Sequence, residues 1–150
     1  MSEIRLAPLT DENREEYLSL QVYEKQKTFV EPPEESLADR DSRAWNIDWT
    51  IECIYEDDCM VGYAMHGMDE KGNVWLDRFM IDRQAQGRGW GTEALTLLMD
   101  KIKTVYPRRK NILLSVEKHN AAAVRMYEKF GFRMTDQMDG IYPVMIDTRD

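Results

Sequence analysis

The stretch "QAQGRGWGTEALTLLMD" (residues 84–100) decides how the rest of the chain is read. Gly87, Gly89 and Gly91 stand at alternate positions, and an apolar pattern of helical period follows at once: Ala94, Leu95, Leu97, Leu98 and Met99. Glycine lacks a Cβ, so a backbone or a ligand can approach the chain closely. The first N–H groups of a helix have no partner inside it, and the helix dipole places partial positive charge there. A glycine-rich loop opening onto a helix therefore suits an anion, above all a phosphate. By itself the stretch also fits a tight strand-to-helix turn that binds nothing.

Working outward, "EIRLAPL" (3–9) reads as a first strand. Thr10 or Asp11 is placed to cap a helix over 11–28, with Tyr17, Leu18, Leu20 and Val22 on its apolar side. The prolines of "FVEPPEES" (29–36) break it, and Ser36 is placed to cap a second, short helix running to about Arg43. Residues 48–56, 59–67 and 74–82 read as three strands joined by the turn residues Asp57-Asp58 and "DEKGN". A helix over 89–106 follows the glycines, then a short buried strand (111–117) and a helix over 120–132 with Gly131 as its stop. Residues 133–140 and 142–147 close the chain as two strands. The order predicts a mixed α/β fold: one sheet of six or seven mostly antiparallel strands with helices on both faces. The glycine loop follows strand 74–82, at the carboxyl end where ligands of open α/β sheets bind.

A length of 150 residues suits one domain over the whole chain, with 43% hydrophobic and 32% charged residues. No apolar run approaches the roughly 20 residues of a membrane span, and the N-terminus lacks the pattern of a signal peptide, so a cytoplasmic protein is expected. A net charge of −8 argues against a nucleic-acid partner and is compatible with cationic substrates. Cys53 and Cys59 lie on either side of "IYEDD", and a hairpin there would bring them near each other; they make no zinc pattern, and reduced thiols are expected. His66 and His119 lack metal-like partners, so no metal is expected.

Gln84-x-x-Gly87-x-Gly89, after a strand ending "FMID", resembles the pyrophosphate-binding signature of the GNAT family of N-acetyltransferases. Asn120-x-x-Ala123-x-x-x-Tyr127-x-x-x-Gly131-Phe132 resembles that family's second signature, at the separation its intervening helix and strand require. "VWLDRFMID" and the upstream "QKTFVEPPEESLADR" look like the bacterial spermine/spermidine acetyltransferases within it. A dinucleotide site fits less well, because Thr92 stands where G-x-G-x-x-G needs glycine. The resemblance covers nearly the whole chain. It implies a GNAT-like sheet, acetyl-CoA as cosubstrate and N-acetyl transfer to an amine; a homodimer is common in the family. The cofactor site it implies comprises Gln86, Gly87, Arg88, Gly89, Trp90, Gly91 and Thr92 around the pyrophosphate. The backbone of Phe79, Met80 and Ile81 would pair with the pantetheine arm, whose other wall is strand 111–117. Asn120 would touch that arm as well as cap its helix, and Trp90 stands where the family more often has a smaller residue. Tyr127 would be the acid that protonates the departing thiolate. Lys118 and Arg125 read as solvated surface within reach of the phosphates.

A polyamine acceptor needs carboxylates near the thioester. Glu31, Glu34, Glu35, Asp39, Glu52 and Asp77 are the candidates, with Glu31, Glu34, Glu35 and Asp77 foremost. Acidic residues at a helix start also serve the dipole without touching substrate. Strict alternation would set Asp77 beside Phe79 and Ile81 on one face. The other readings are acetylation of a different amine (an aminoglycoside, an amino acid or a protein N-terminus), or an acyl-CoA-binding module without catalysis.

Overall fold

A computed structural model describes residues 3–21, 32–82, 89–117, 119–140 and 142–148. Seven strands form one sheet in the order β1 (Ile4–Pro8), β2 (Thr50–Glu56), β3 (Cys59–Met68), β4 (Val74–Ile81), β5 (Ile112–Ser115), β7 (Tyr142–Asp147), β6 (Arg133–Asp139). Every neighbouring pair is antiparallel except β4–β5. The expected mixed α/β fold and its element order hold.

Helices cover both faces of the sheet. On one, α1 (Arg14–Leu18) and α2 (Pro33–Asp41) bury Tyr17, Leu20 and Leu37 against Ile51, Cys53, Tyr63, Met65 and Met80. On the other, α3 (Trp90–Val105) and α4 (Ala121–Lys129) pack on Val74, Leu76, Ile112 and Leu114. This double cover explains why β3 is buried from Met60 to Gly67 on both sides of its pleat. Helix α3 presents Ala94, Leu95, Leu98, Met99 and Ile102 to the sheet, the stripe its periodicity predicts.

Two helices differ from expectation. Among the described residues α1 ends at Leu18, because Leu20 enters the core and the Gln21 N–H donates to the Asp82 carboxylate at 2.7 Å rather than to a helical carbonyl. The rest of the expected helix, 22–28, lies outside the described residues. Helix α2 starts earlier than expected, with Pro33 at its first position, where a missing N–H costs nothing. Ser36 is therefore inside the helix and buried rather than at its cap.

Glycine at position 62 is required by packing. A Cβ built there would lie 2.1 Å from the Met80 carbonyl oxygen, so β3 and β4 approach more closely than any other residue allows. The two cysteines are reduced and apart in register: Cys53 pairs with Tyr63, Cys59 with Glu56. Burial, then the charges of Glu52 and Glu16, push the Cys53 thiol up to about 12, which makes it an unreactive core residue.

Candidate active site

The parallel pair β4–β5 is joined at only two register positions, Val74–Ile112 and Trp75–Leu113. Past them β4 runs on to Ile81 along β3, while β5 runs to Ser115 along β7. The ladder thus opens beside Phe79, Met80 and Ile81, with β5 as the other wall. At Asp77 the alternation of β4 slips. Leu76 pairs with His66 and Arg78 with Met65, leaving Asp77 as the extra residue of a β-bulge. Phe79 and Ile81 then continue the face of Val74 and Leu76 toward α3, whereas Met80 turns toward α1 and α2. The expected common face of Asp77, Phe79 and Ile81 is interrupted for this reason.

Gly89 caps α3 at φ 79°, in the left-handed region that favours glycine, and among the described residues a Cβ built on it meets nothing within 4 Å. The first helical bond runs from the Glu93 N–H to the Gly89 carbonyl, so the amides of Gly91 and Thr92 head the helix with no acceptor inside it. Trp90 packs with Ile81 and Leu97 against Ile4, Ile54 and Val61, so its ring is partly a core element. Thr92 is exposed. Gln84, Gln86, Gly87 and Arg88 lie outside the described residues, as do Glu31 and Lys118; Arg125 is exposed.

Helix α4 explains its own sequence pattern. Asn120 caps it, its side-chain oxygen accepting from the Ala123 N–H at 3.4 Å. At the other end Gly131 takes φ 100° and the Phe132 N–H donates to the Tyr127 carbonyl at 3.1 Å. That turn lays Phe132 edge-on against Tyr127, ring centroids 5.8 Å apart. Tyr127 shares one cluster with Leu114 and Val116 from the β5 side of the gap and Phe79 from the β4 side. Burial raises its phenol above the usual value of 10, so it stays protonated at neutral pH. Its hydroxyl makes no hydrogen bond to the described residues.

The acidic candidates separate. Glu34 and Glu35 are exposed in the first turn of α2, where the dipole favours them. Asp39 and Asp77 both meet Arg78, at 2.7 and 3.2 Å. Glu52 is buried on the α3 face, 2.9 Å from His66 Nε2 and 2.8 Å from Lys101 Nζ. Burial pushes its carboxyl up, but the hydrogen bonds from His66 and Lys101 outweigh that and hold it below the usual range. A carboxylate only accepts, so Nε2 carries the hydrogen toward it. The Tyr106 hydroxyl, pushed up to about 12 by burial and then by the Glu52 charge, faces Nδ1 at 2.7 Å. Glu52 is thus engaged by His66 and Lys101. Sequence reasoning missed Arg78, whose side chain is 4% exposed. Its one signal was a charge inside the apolar run "VWLDRFMID".

A model of the acetyltransferase (GNAT) family matches residues 9–132, and the chain belongs to that family. It is 34% identical over 143 residues to the spermine/spermidine N(1)-acetyltransferase of Bacillus subtilis (strain 168), covering 91% of each chain. Among solved structures it resembles PaiA N-acetyltransferase from Thermoplasma acidophilum in complex with coenzyme A (TM-score 0.74, 18% identity, 98% of this chain and 99% of that one). It also resembles spermidine N-acetyltransferase from Vibrio cholerae in complex with CoA and spermine (TM-score 0.72, 14% identity, 95% and 92%).

Proposed function

We propose that this protein moves an acetyl group from acetyl-CoA to a primary amine of a polyamine such as spermidine or spermine. The observation that carries the transfer chemistry is the opened β4–β5 ladder, with Tyr127 in the same buried cluster as Leu114, Val116 and Phe79. Acetyl-CoA supplies an activated carbonyl and a thiolate leaving group. The chain's residues fit it: a left-handed glycine whose Cβ position is clear of the described residues, helix-heading amides at Gly91 and Thr92, and a strand edge at 79–81 able to accept an extended arm. Gly87 and Arg88, with Gln86 beside them, complete the phosphate cradle in this reading. Asn120 uses its side-chain oxygen as a cap, which leaves its amide hydrogens to donate to the arm.

Tyr127 holds a proton where a leaving sulfur gains charge. A thiol has a pKa near 8.5, below that of the raised phenol, so complete transfer to the thiolate runs uphill. The hydroxyl therefore acts chiefly as a hydrogen-bond donor while the C–S bond breaks. The attacking amine must be neutral, so an alkylamine of pKa near 10.4 first loses a proton to a base or a water path; after attack its nitrogen gives up a second proton, and the departing thiolate takes up one from solvent.

The polyamine reading is supported by the similarity to the Bacillus subtilis enzyme, the net charge of −8 and the acidic first turn of α2. Glu31, Glu34, Glu35 and Asp77 are the proposed partners of the ammonium groups that are not attacked. The test is thiol release from acetyl-CoA with spermidine, spermine, putrescine, a lysine peptide and an aminoglycoside. Spermidine or spermine should give the highest kcat/KM at low salt, and the preference should shrink as salt screens charges over about 8–10 Å. A monocationic amine used as efficiently as spermidine refutes the acceptor but not the transfer. No thiol release with any amine refutes both.

A further inference from the structure

We propose that Arg78 is a positioning residue for this reaction, a clamp that sets the distance between helix α2 and strand β4. The inference rests on the acetyltransferase reading above. Arg78 follows the bulge at Asp77 and immediately precedes the strand edge assigned to the cofactor. Its guanidinium reaches three ways. Nη1 donates to Ser36 Oγ at 2.9 Å, Nη2 donates to the Asp39 carboxylate at 2.7 Å, and Nε lies 3.2 Å from the Asp77 carboxylate. Ser36 and Asp39 are three residues apart on α2, so both face the sheet from one side of the helix. Ser36 Oγ is also 2.7 Å from the Tyr63 hydroxyl on β3, and the Tyr17 hydroxyl of α1 donates to the Pro33 carbonyl. One network therefore joins α1, α2, β3 and β4 through a buried cation.

The consequence is specific to the acceptor side. Phe79, Met80 and Ile81 are held by the β3 ladder, opposite Ala64, Tyr63 and Gly62, whatever Arg78 does. Helix α2, with Glu34 and Glu35 in its first turn, has no such ladder, and among the described residues the Arg78–Asp39 pair ties it to β4 by charge. The two Nη groups of a planar fork meet Ser36 and Asp39 together, while the Asp77 carboxylate beside Nε pairs with it by charge; a lysine ammonium is a single point and cannot span the three. Loosening the clamp should disturb where an amine is held while leaving the cofactor strand in place.

The experiment compares wild type with Arg78→Lys, and with Ser36→Ala, which cuts one arm without changing any charge. Both variants should raise KM for spermidine with KM for acetyl-CoA nearly unchanged. The kcat/KM loss in Arg78→Lys should be roughly 10- to 100-fold, the scale of an ångström misplacement of a bound reactant. The spermidine preference over a monoamine should shrink with it, and the two substitutions together should be non-additive, because they act on one contact. In hydrogen exchange, α2 amides should lose protection ahead of those of β4. If either variant folds with lowered Tm yet keeps wild-type spermidine KM and preference, Arg78 is only a packing element and the proposal fails. If Arg78→Lys does not fold, Ser36→Ala carries the same test. An inactive wild type with the exchange difference intact refutes the acetyltransferase reading and leaves the clamp.

Discussion

Replacing Gly62 with alanine drives a methyl group into the β3–β4 contact beside the proposed cofactor strand. The built Cβ lies 2.1 Å from the Met80 carbonyl oxygen, and ordinary contact begins at 3.4 Å, so the strands must part by 3.4 − 2.1 = 1.3 Å at that point. The obstacle is backbone, held in register by the pair Tyr63–Met80, and no side-chain rotation relieves it. Overpacking of this kind costs about 1–3 kcal/mol. At the 2–4 °C per kcal/mol expected for this chain length, Tm should fall by roughly 2–12 °C. Because Met80 lies in the edge proposed to hold the pantetheine arm, acetyl-CoA affinity by calorimetry should fall as well. Gly91→Ala is the control: its Cβ would sit 3.9 Å from Ile81 Cγ1, an ordinary contact, and alanine in a helix gains up to about 1 kcal/mol over glycine. Thermal and denaturant unfolding of the two variants should therefore move in opposite directions. A Gly62→Ala protein as stable as wild type would refute the close-approach argument.

Tyr127→Phe should cut kcat by roughly 10²–10³-fold, the scale of one lost hydrogen-bond donor to developing charge, with acetyl-CoA affinity kept. Stability should barely change, since the hydroxyl has no partner among the described residues; near wild-type turnover with chemistry rate-limiting would reduce Tyr127 to packing. Gly89→Val adds about 1–2 kcal/mol of left-handed strain and, through the blocked cradle, should weaken acetyl-CoA binding by more than that, read by calorimetry on the folded variant. Neutralising Glu34 and Glu35 together should raise KM for spermidine more than for a monoamine; equal effects would remove α2 from the acceptor site. Glu52→Gln should cost roughly 1.5–3 kcal/mol at pH 7, the scale of hydrogen bonds to a charged group. Because the folded Glu52 carboxyl lies below the usual 4.5, its stabilisation is present above that pH and is lost as pH falls through the lower folded value. The wild-type advantage in thermal melts should therefore vanish toward strong acid, and a difference that stays constant with pH would contradict the assignment.

Apolar spacing together with proline breaks, turn residues and a glycine stop settled the element order. The α3 stripe from Ala94 to Ile102 and the Asn120 and Gly131 boundaries of α4 were legible for that reason. The family was legible because both glycine-bearing signatures serve local backbone needs, a left-handed cap at Gly89 and a turn at Gly131 that returns Phe132 to Tyr127. Contacts between distant segments were not legible. Ser36 looked like a cap and is a buried anchor; Asp77 looked like one member of an alternating face and is a bulge; Glu52 looked available to a substrate and is engaged by His66 and Lys101. Each depends on a partner 14 or more residues away, or on a register slip between strands. A one-residue slip changes which face every later side chain occupies, and nothing local announces it. Arg78 shows the same limit: its charge is written in the sequence, but only packing α2 onto β4 surrounds it with Ser36, Asp39 and Asp77.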